Sequence, residues 1–279
     1  MTPNVTLIPI RIYYPNITET RFTSVRAVHK TVNSTYTALE DPNNPSTIQY
    51  ITIHKIPETT AQKITDNSEI FGVPFRFTYY HDFKVGVIKV LPLIHDEITL
   101  RVRDVICDHA KRMGVKDEEI IEGAPRTQKI LLENNTKQPG AYLAPADRPL
   151  QYGQTMPWSS PVIETALSES LTHLHGDGRW WLSGLSGTNV VLAISLKITL
   201  PKSVLIQRWQ RALVERPGRH RTRPAIRVQS TQSITVTADS VESGPLVPSL
   251  RALMCPSSED TKDVTIPDEK LIGCFSDFW

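Results

Sequence analysis

The sequence predicts an α/β fold built on a mixed central sheet. Residues 158–196, WSSPVIETALSESLTHLHGDGRWWLSGLSGTNVVLAISL, read as strand, helix, strand. Ahead of them Ile94, Ile98, Val102, Val105, Ile106 and Met113 recur at helical spacing. Between these two stretches, 118–132 and AYLAP carry β-type runs. The resulting order of helix, strand, strand, strand, helix, strand interleaves the two element types as α/β folds do.

Taken in chain order, 1–66 alternates short β-like runs with turn residues: LIPIRIYY, STYTAL and IQYITIHKI, the last two separated by the loop DPNNPS. FRFTYYHDF and KVGVIKVLP form a hairpin, and the helix that follows stops at Gly114. Residues 118–132 are a strand broken at Gly123–Pro125, ENNTKQPG is a turn-rich loop, and AYLAP begins a short strand. Strand 161–166 leads to a helix with Ser168 as N-cap and Glu169 at its positive end. Leu171, Leu174, Trp181 and Leu182 give that helix its apolar face, and SGLSG ends it. NVVLAISLKITL and SVLIQRW pair around Pro201, and a basic loop at 216–224 precedes a strand pair at 225–237. From Ser240 a tail with Pro245, Pro248, Pro256 and Pro267 wraps the surface. The chain carries no internal repeat.

At 279 residues the chain is long enough for one large domain or a domain with an added layer. Charged residues are 22%, hydrophobic ones 39%, and the net charge is +2, so global charge does not mark a nucleic-acid binder. Cys107, Cys255 and Cys274 are odd in number, far apart and outside any CxxC or Cys/His zinc spacing, which predicts a reduced, intracellular setting in cytoplasm or nucleus. The first residues lack a basic segment before an apolar core, so no signal peptide is expected. No apolar run approaches the ~20 residues of a span, so no membrane partner is expected either.

Several residues are candidates for chemistry. Glu164 lies inside an apolar strand run, where an unpaired carboxylate is costly. His173, His175 and Asp177 would share one face of a strand and could then hold zinc; on the helix that the LxxL spacing and paired tryptophans favour, 173 and 177 share a face and 175 does not. The reading preferred is an exposed helical pair with Asp177 as a helix charge. Of Trp180 and Trp181, about 100° apart on a helix, Trp181 is assigned to the core and Trp180 to a partly covered position. Arg208, Arg211, Arg216, Arg219, His220, Arg221, Arg223 and Arg227 form the one marked basic cluster. Arg216, Arg219, Arg221 and Arg223 in its loop are candidate phosphate contacts, set against a solvated loop as the alternative. Asp117 to Glu119 read as a turn beside a strand. The chain has no GxxxxGKS phosphate loop and no GxSxG elbow.

Residues 75–213 resemble a set of uncharacterised fungal proteins related to the PD-(D/E)XK restriction-endonuclease-like superfamily. Several segments carry the resemblance in order: FRFTYYHDFKVGVIKVLPLIHDE, GAPR (123–126), KQPGAYLAP, WSSPVIETALSES and LHGDGRWWL, with a fainter likeness at GPLVPSLRALM and Phe278–Trp279. The resemblance implies a restriction-endonuclease-like core at 90–212, with a β-rich N-terminal extension at 1–89 and a hairpin with Pro-rich tail at 213–279. It implies Mg²⁺ as candidate cofactor and phosphodiester cleavage, which needs two carboxylates on adjacent strands and a nearby lysine. Carried over, Glu164 matches the strand acid and Asp96 the helix acid, both as metal ligands, and Asp177 stands near the site. The second strand acid should lie just before Tyr142, where this chain has Gln138, Pro139 and Gly140. The lysine two residues after Glu164 is replaced by Ala166. Asp147 and Glu133 are the substitutes at hand for the missing acid.

Losing a metal-ligating carboxylate typically costs several kcal/mol of transition-state stabilisation, at about 1.4 kcal/mol per tenfold in rate. The reading favoured is therefore a degraded nuclease fold that binds nucleic acid with weak or no catalysis. An active Mg²⁺-dependent nuclease and a partner-binding protein that keeps only the fold remain as alternatives.

Overall fold

A computed structural model describes residues 17–41, 43, 46, 48–123, 128–130, 135–147, 160–167, 171–182, 188–214, 225–248 and 263–279. The fold is mixed α/β, with two mixed sheets and five α-helices among the described residues. In chain order these are β1 (Thr18–Arg21), α1 (Val25–Leu39), β2 (Tyr50–His54), α2 (Glu58–Asp66), β3 (Phe75–Tyr80), β4 (Val85–Val90) and α3 (Leu93–Arg112). Then come β5 (Ile120–Gly123), β6 (Gln128–Ile130), β7 (Asn135–Lys137), β8 (Ala141–Pro145), β9 (Val162–Leu167) and α4 (Leu171–Trp181). The chain closes with β10 (Val190–Lys197), β11 (Ser203–Val214), β12 (Ala225–Val236), β13 (Val241–Glu242) and α5 (Asp268–Cys274).

The first sheet runs β1-β2-β4-β3-β7-β6 and the second β13-β12-β11-β10-β9-β8-β5. Each contains one parallel pair, β1 with β2 and β9 with β10, and in both cases a helix makes the crossover. Within the second sheet the expected helix, strand, strand, strand, helix, strand order appears as α3, β5, β8, β9, α4, β10, with β5, β8 and β9 antiparallel, but β6 and β7 intervene in the chain and join the first sheet, so the strand expected over 118–132 is divided between the two sheets. The largest apolar cluster joins the two sheets, drawing Ile51, Ile88 and Phe77 from the first and Ile163, Leu192 and Ile206 from the second. No helix among the described residues is long and apolar enough to cross a membrane.

The N-terminal third departs from expectation. STYTAL is not a strand but the last part of α1, and ETTAQKITD forms α2, so the extension is not simply β-rich. Thr35, Tyr36 and Thr37 favour strands intrinsically, but Val28, Val32 and Leu39 form a buried helical stripe, and Ser24 caps the helix by accepting the Ala27 N–H at 3.2 Å. Within the expected loop ENNTKQPG, Asn135–Lys137 is a strand of the first sheet, paired with β3 and β6. Residues 225–236 make one strand instead of two; β12 pairs with β11 along its length, across the boundary expected at 212/213. LIPIRIYY, Ser168, the SGLSG glycines and the basic loop lie outside the described residues.

Candidate functional site

All six residues of β9 are buried, because β8 and β10 flank it and helices cover both faces. Strand alternation sends Val162, Glu164 and Ala166 toward α4, while Ile163 and Leu167 join the core on the α3 side. Glu164 is thus carried into the interior by the strand that its apolar neighbours make, and it is 1% exposed.

On α4, His173, Asp177 and Trp181 follow one another at i, i+4, i+8 and form a single buried stripe. The Trp181 indole N–H donates to Glu164 Oε1 at 2.7 Å. Asp177 is fully buried, so the exposed helical pair expected from the sequence is corrected: both His173 and Asp177 face inward. Their helix carries them against the first sheet, where the His173 ring meets the Tyr50 ring edge-on at 4.5 Å. Trp181 in the core and Trp180 partly covered agree with expectation.

Two lysines that sequence reasoning missed complete the arrangement. Lys89, on β4, lies 3.4 Å from Glu164 Oε2 and 3.8 Å from Asp177 Oδ2. Lys137, on β7, lies 2.6 Å from Asp177 Oδ1 and donates to Thr78 Oγ1 at 3.5 Å. The Tyr50 hydroxyl donates to Asp177 Oδ2 at 3.2 Å. Two carboxylates and two ammonium groups therefore form a buried, charge-balanced quartet that ties α4 and β9 to the first sheet. Burial works against the charged form of Lys137, but the fields of Asp177 and Glu164 outweigh it and raise its pKa. Burial, then the same two carboxylates, push the Tyr50 hydroxyl well above its usual range. A lysine strands away from the motif thus lies beside Glu164, although Ala166 leaves the motif position empty of charge.

Beside the quartet sits a second cluster, centred on Arg76 of β3. Its Nη2 lies 3.0 Å from Asp96 Oδ1, in the first turn of α3. The same guanidinium donates to the backbone carbonyls of Pro139 at 3.1 Å and Gly140 at 3.4 Å. It also lies within the field of Glu164. His95 is fully buried and hydrogen-bonds through Nε2 to the Thr165 carbonyl; burial pulls its pKa down to about 4. For Asp96 burial acts upward, but its contacts with His95 and Arg76 prevail and hold the carboxyl below its usual value.

The segment where the second acid would stand is committed otherwise. Gln138 bridges backbone, accepting the Phe77 N–H at 3.1 Å and donating to the Thr65 carbonyl at 3.4 Å. A Cβ on Gly140 would lie 2.6 Å from the Ile163 carbonyl oxygen and 3.3 Å from Thr99 Cγ2, so no side chain fits there. Asp147 is exposed in the turn after β8, as its position after AYLAP predicts, and Glu133 lies outside the described residues. Among the described residues no group of three or more His, Cys, Asp and Glu is arranged to hold a metal ion. The residues do not suit Mg²⁺: Glu164 has both oxygens engaged by Trp181 and Lys89, and Asp96 faces a fixed guanidinium.

Arg216, Arg219, Arg221 and Arg223 lie outside the described residues. Of their neighbours, Arg208 is held by Thr231 Oγ1 at 3.0 Å and by the Val247 carbonyl, and Arg211 donates to the Leu182 carbonyl at 3.0 Å. Arg227 is exposed. Lys89 carried the same signal as Glu164, a charge inside an apolar strand run, and pairing the two signals would have found it. Arg76, Thr78 and Tyr80 alternate along β3 toward the same side, a polar stripe hidden by the aromatic content of FRFTYY. Comparisons with protein-family models, with curated proteins and with solved structures find no match to this chain.

Proposed function

We propose that this chain is a restriction-endonuclease-like protein that has lost phosphodiester hydrolysis and binds nucleic acid. The element order and mixed sheet around β9 accord with the core that the sequence resemblance implies. The observation that carries the reading is Arg76. A permanent cation is bonded to Asp96 and to the carbonyls of Pro139 and Gly140, within the field of Glu164, and on this reading these are the two acids that a metal ion would have bridged. A guanidinium can neutralise these acids, but it cannot activate water as a metal does.

Nucleic-acid binding rests on the arginine-rich segment at 216–223, carried between two twelve-residue strands. The test is fluorescence anisotropy with labelled duplex DNA, single-stranded DNA and RNA over a range of salt, beside a cleavage assay with Mg²⁺ or Mn²⁺. Affinity should fall steeply with salt, Arg219→Ala/Arg221→Ala/Arg223→Ala should lower both affinity and salt slope, and no cleavage should occur. Metal-dependent cleavage that Glu164→Ala abolishes would establish an active nuclease instead. Absence of salt-sensitive binding to all three probes would leave a partner-binding protein on this fold.

A further inference from the structure

A groove of about 460 Å³ lies where α1 ends, α3 begins and the β10–β11 turn meets the C-terminal segment. Leu39, Leu93, Ile94, Ile198 and Phe278 give it apolar walls. Leu93, on the wall itself, is 65% exposed, and Leu200, in the same turn as the lining residues Ile198 and Lys202, is 86% exposed. They are the most exposed large hydrophobic residues among those described. An exposed Leu next to an apolar cleft marks an interaction surface more often than a scattered surface Leu does.

The rim charge is one-sided. Glu40, Asp41, Glu97 and Asp277 line the groove against a single lining ammonium, Lys202. Lys202 is itself turned onto the Phe278 carbonyl at 2.6 Å, and Arg101, behind the rim, is shared between Glu97 and Asp277. With Arg101 counted the rim still holds more carboxylates than cations, which disfavours phosphate and so nucleic acid and anionic lipid as occupants. It attracts a cationic segment, and the apolar walls require that segment to carry aliphatic side chains on one face.

We propose that this groove docks a basic amphipathic helix of a partner protein, its leucine-type residues against Leu93, Ile94 and Ile198 and its lysines or arginines toward the net-negative rim.

The experiment uses the full chain and a fluorescein-labelled amphipathic Leu/Lys helical peptide, with the same peptide bearing Glu in place of Lys as counterpart. The Leu/Lys peptide should bind saturably and the Leu/Glu peptide should not. Leu93→Ser/Leu200→Ser, which alters two exposed side chains, should weaken binding by about tenfold or more, as should Asp41→Asn/Glu97→Gln. Glu58→Gln/Asp66→Asn, which removes two carboxylates from a separate cleft on α2, should leave binding unchanged. Equal binding by wild type and Leu93→Ser/Leu200→Ser overturns the proposal, and so does an equal loss in the α2 variant, which would mean unspecific charge attraction. Nucleic-acid affinity of the groove variants should match wild type, so the nucleic-acid reading and this one fail separately.

Discussion

Lys137 and Asp177 lie 2.6 Å apart, one on a strand of the first sheet and the other on the helix that covers the second, and both are buried. Neither could be buried alone. The pair, extended through Lys89 to Glu164, makes the seam between the sheets a polar lock inside an apolar core. Removing one partner of such a pair typically costs 3–5 kcal/mol, whereas replacing both by apolar groups is often nearly neutral. Asp177→Asn and Lys137→Met should each lower the unfolding free energy by about 3–5 kcal/mol in urea titrations. The double variant should lose less than the sum. Additive losses would mean that the two charges do not support each other.

Gly140 gives a test of the proposed loss of catalysis. Gly140→Asp introduces a carboxylate in the segment where the resemblance expects one. Its Cβ, however, would lie 2.6 Å from the Ile163 backbone oxygen, which cannot swing aside as a flexible side chain can. The expected result is a loss of about 1–3 kcal/mol in stability and no gain of Mg²⁺-dependent cleavage. A stable, cleaving variant in a gel assay would show that the site had lost only its acid.

The quartet also sets an alkaline limit. The folded pKa values of both Lys137 and Tyr50 are raised, Lys137 by its carboxylate neighbours against the effect of burial and Tyr50 by burial first. A raised folded pKa gives stability that is complete below the unfolded value, near 10 for both groups, and is lost as pH rises through the folded value. Urea midpoints should therefore hold up to about pH 10 and fall beyond it. Tyr50→Phe should make that alkaline fall shallower, and absorbance titration of the folded protein should lose its latest-titrating tyrosine. An unchanged titration in the variant would place Tyr50 outside the network.

Much of the second sheet was legible in the sequence because its signals are local. The apolar run with Glu164, the i, i+4, i+8 order of His173, Asp177 and Trp181, and the Pro201 turn between β10 and β11 each depend on residues close in sequence. Glu164 was named as a site residue for that reason, whereas Asp96 and Asp177 entered only through the resemblance. Their partners were not, because Lys89, Lys137, Arg76 and Tyr50 arrive from another sheet, up to 127 residues away in the case of Tyr50 and Asp177. No spacing rule links such residues. The same limit hid β7: NTK is too short and polar to read as a strand, and only pairing with β3 and β6 makes it one. In α1 the error ran the other way, since Thr and Tyr favour strands until Val28, Val32 and Leu39 bury one helical face.

The two described cysteines give a last prediction, which bears on whether thiol chemistry has any place here. Cys107, on α3, donates to Glu122 Oε1 at 2.9 Å, and burial with that carboxylate pushes its pKa up to about 12. Burial pushes Cys274 up to about 11. The thiolate is the nucleophile, so at pH 8 only about 10⁻⁴ of Cys107 and 10⁻³ of Cys274 is reactive, before their near-complete burial is counted. Iodoacetamide at pH 8 should label both at least about a hundredfold more slowly in the native chain than in urea, read by mass spectrometry of the two peptides. Glu122→Gln should speed Cys107 without altering Cys274, because only Cys107 is held by that carboxylate. Rapid native labelling of Cys107 would mean that α3 opens at its C-terminal half and that this thiol is reactive in the native chain.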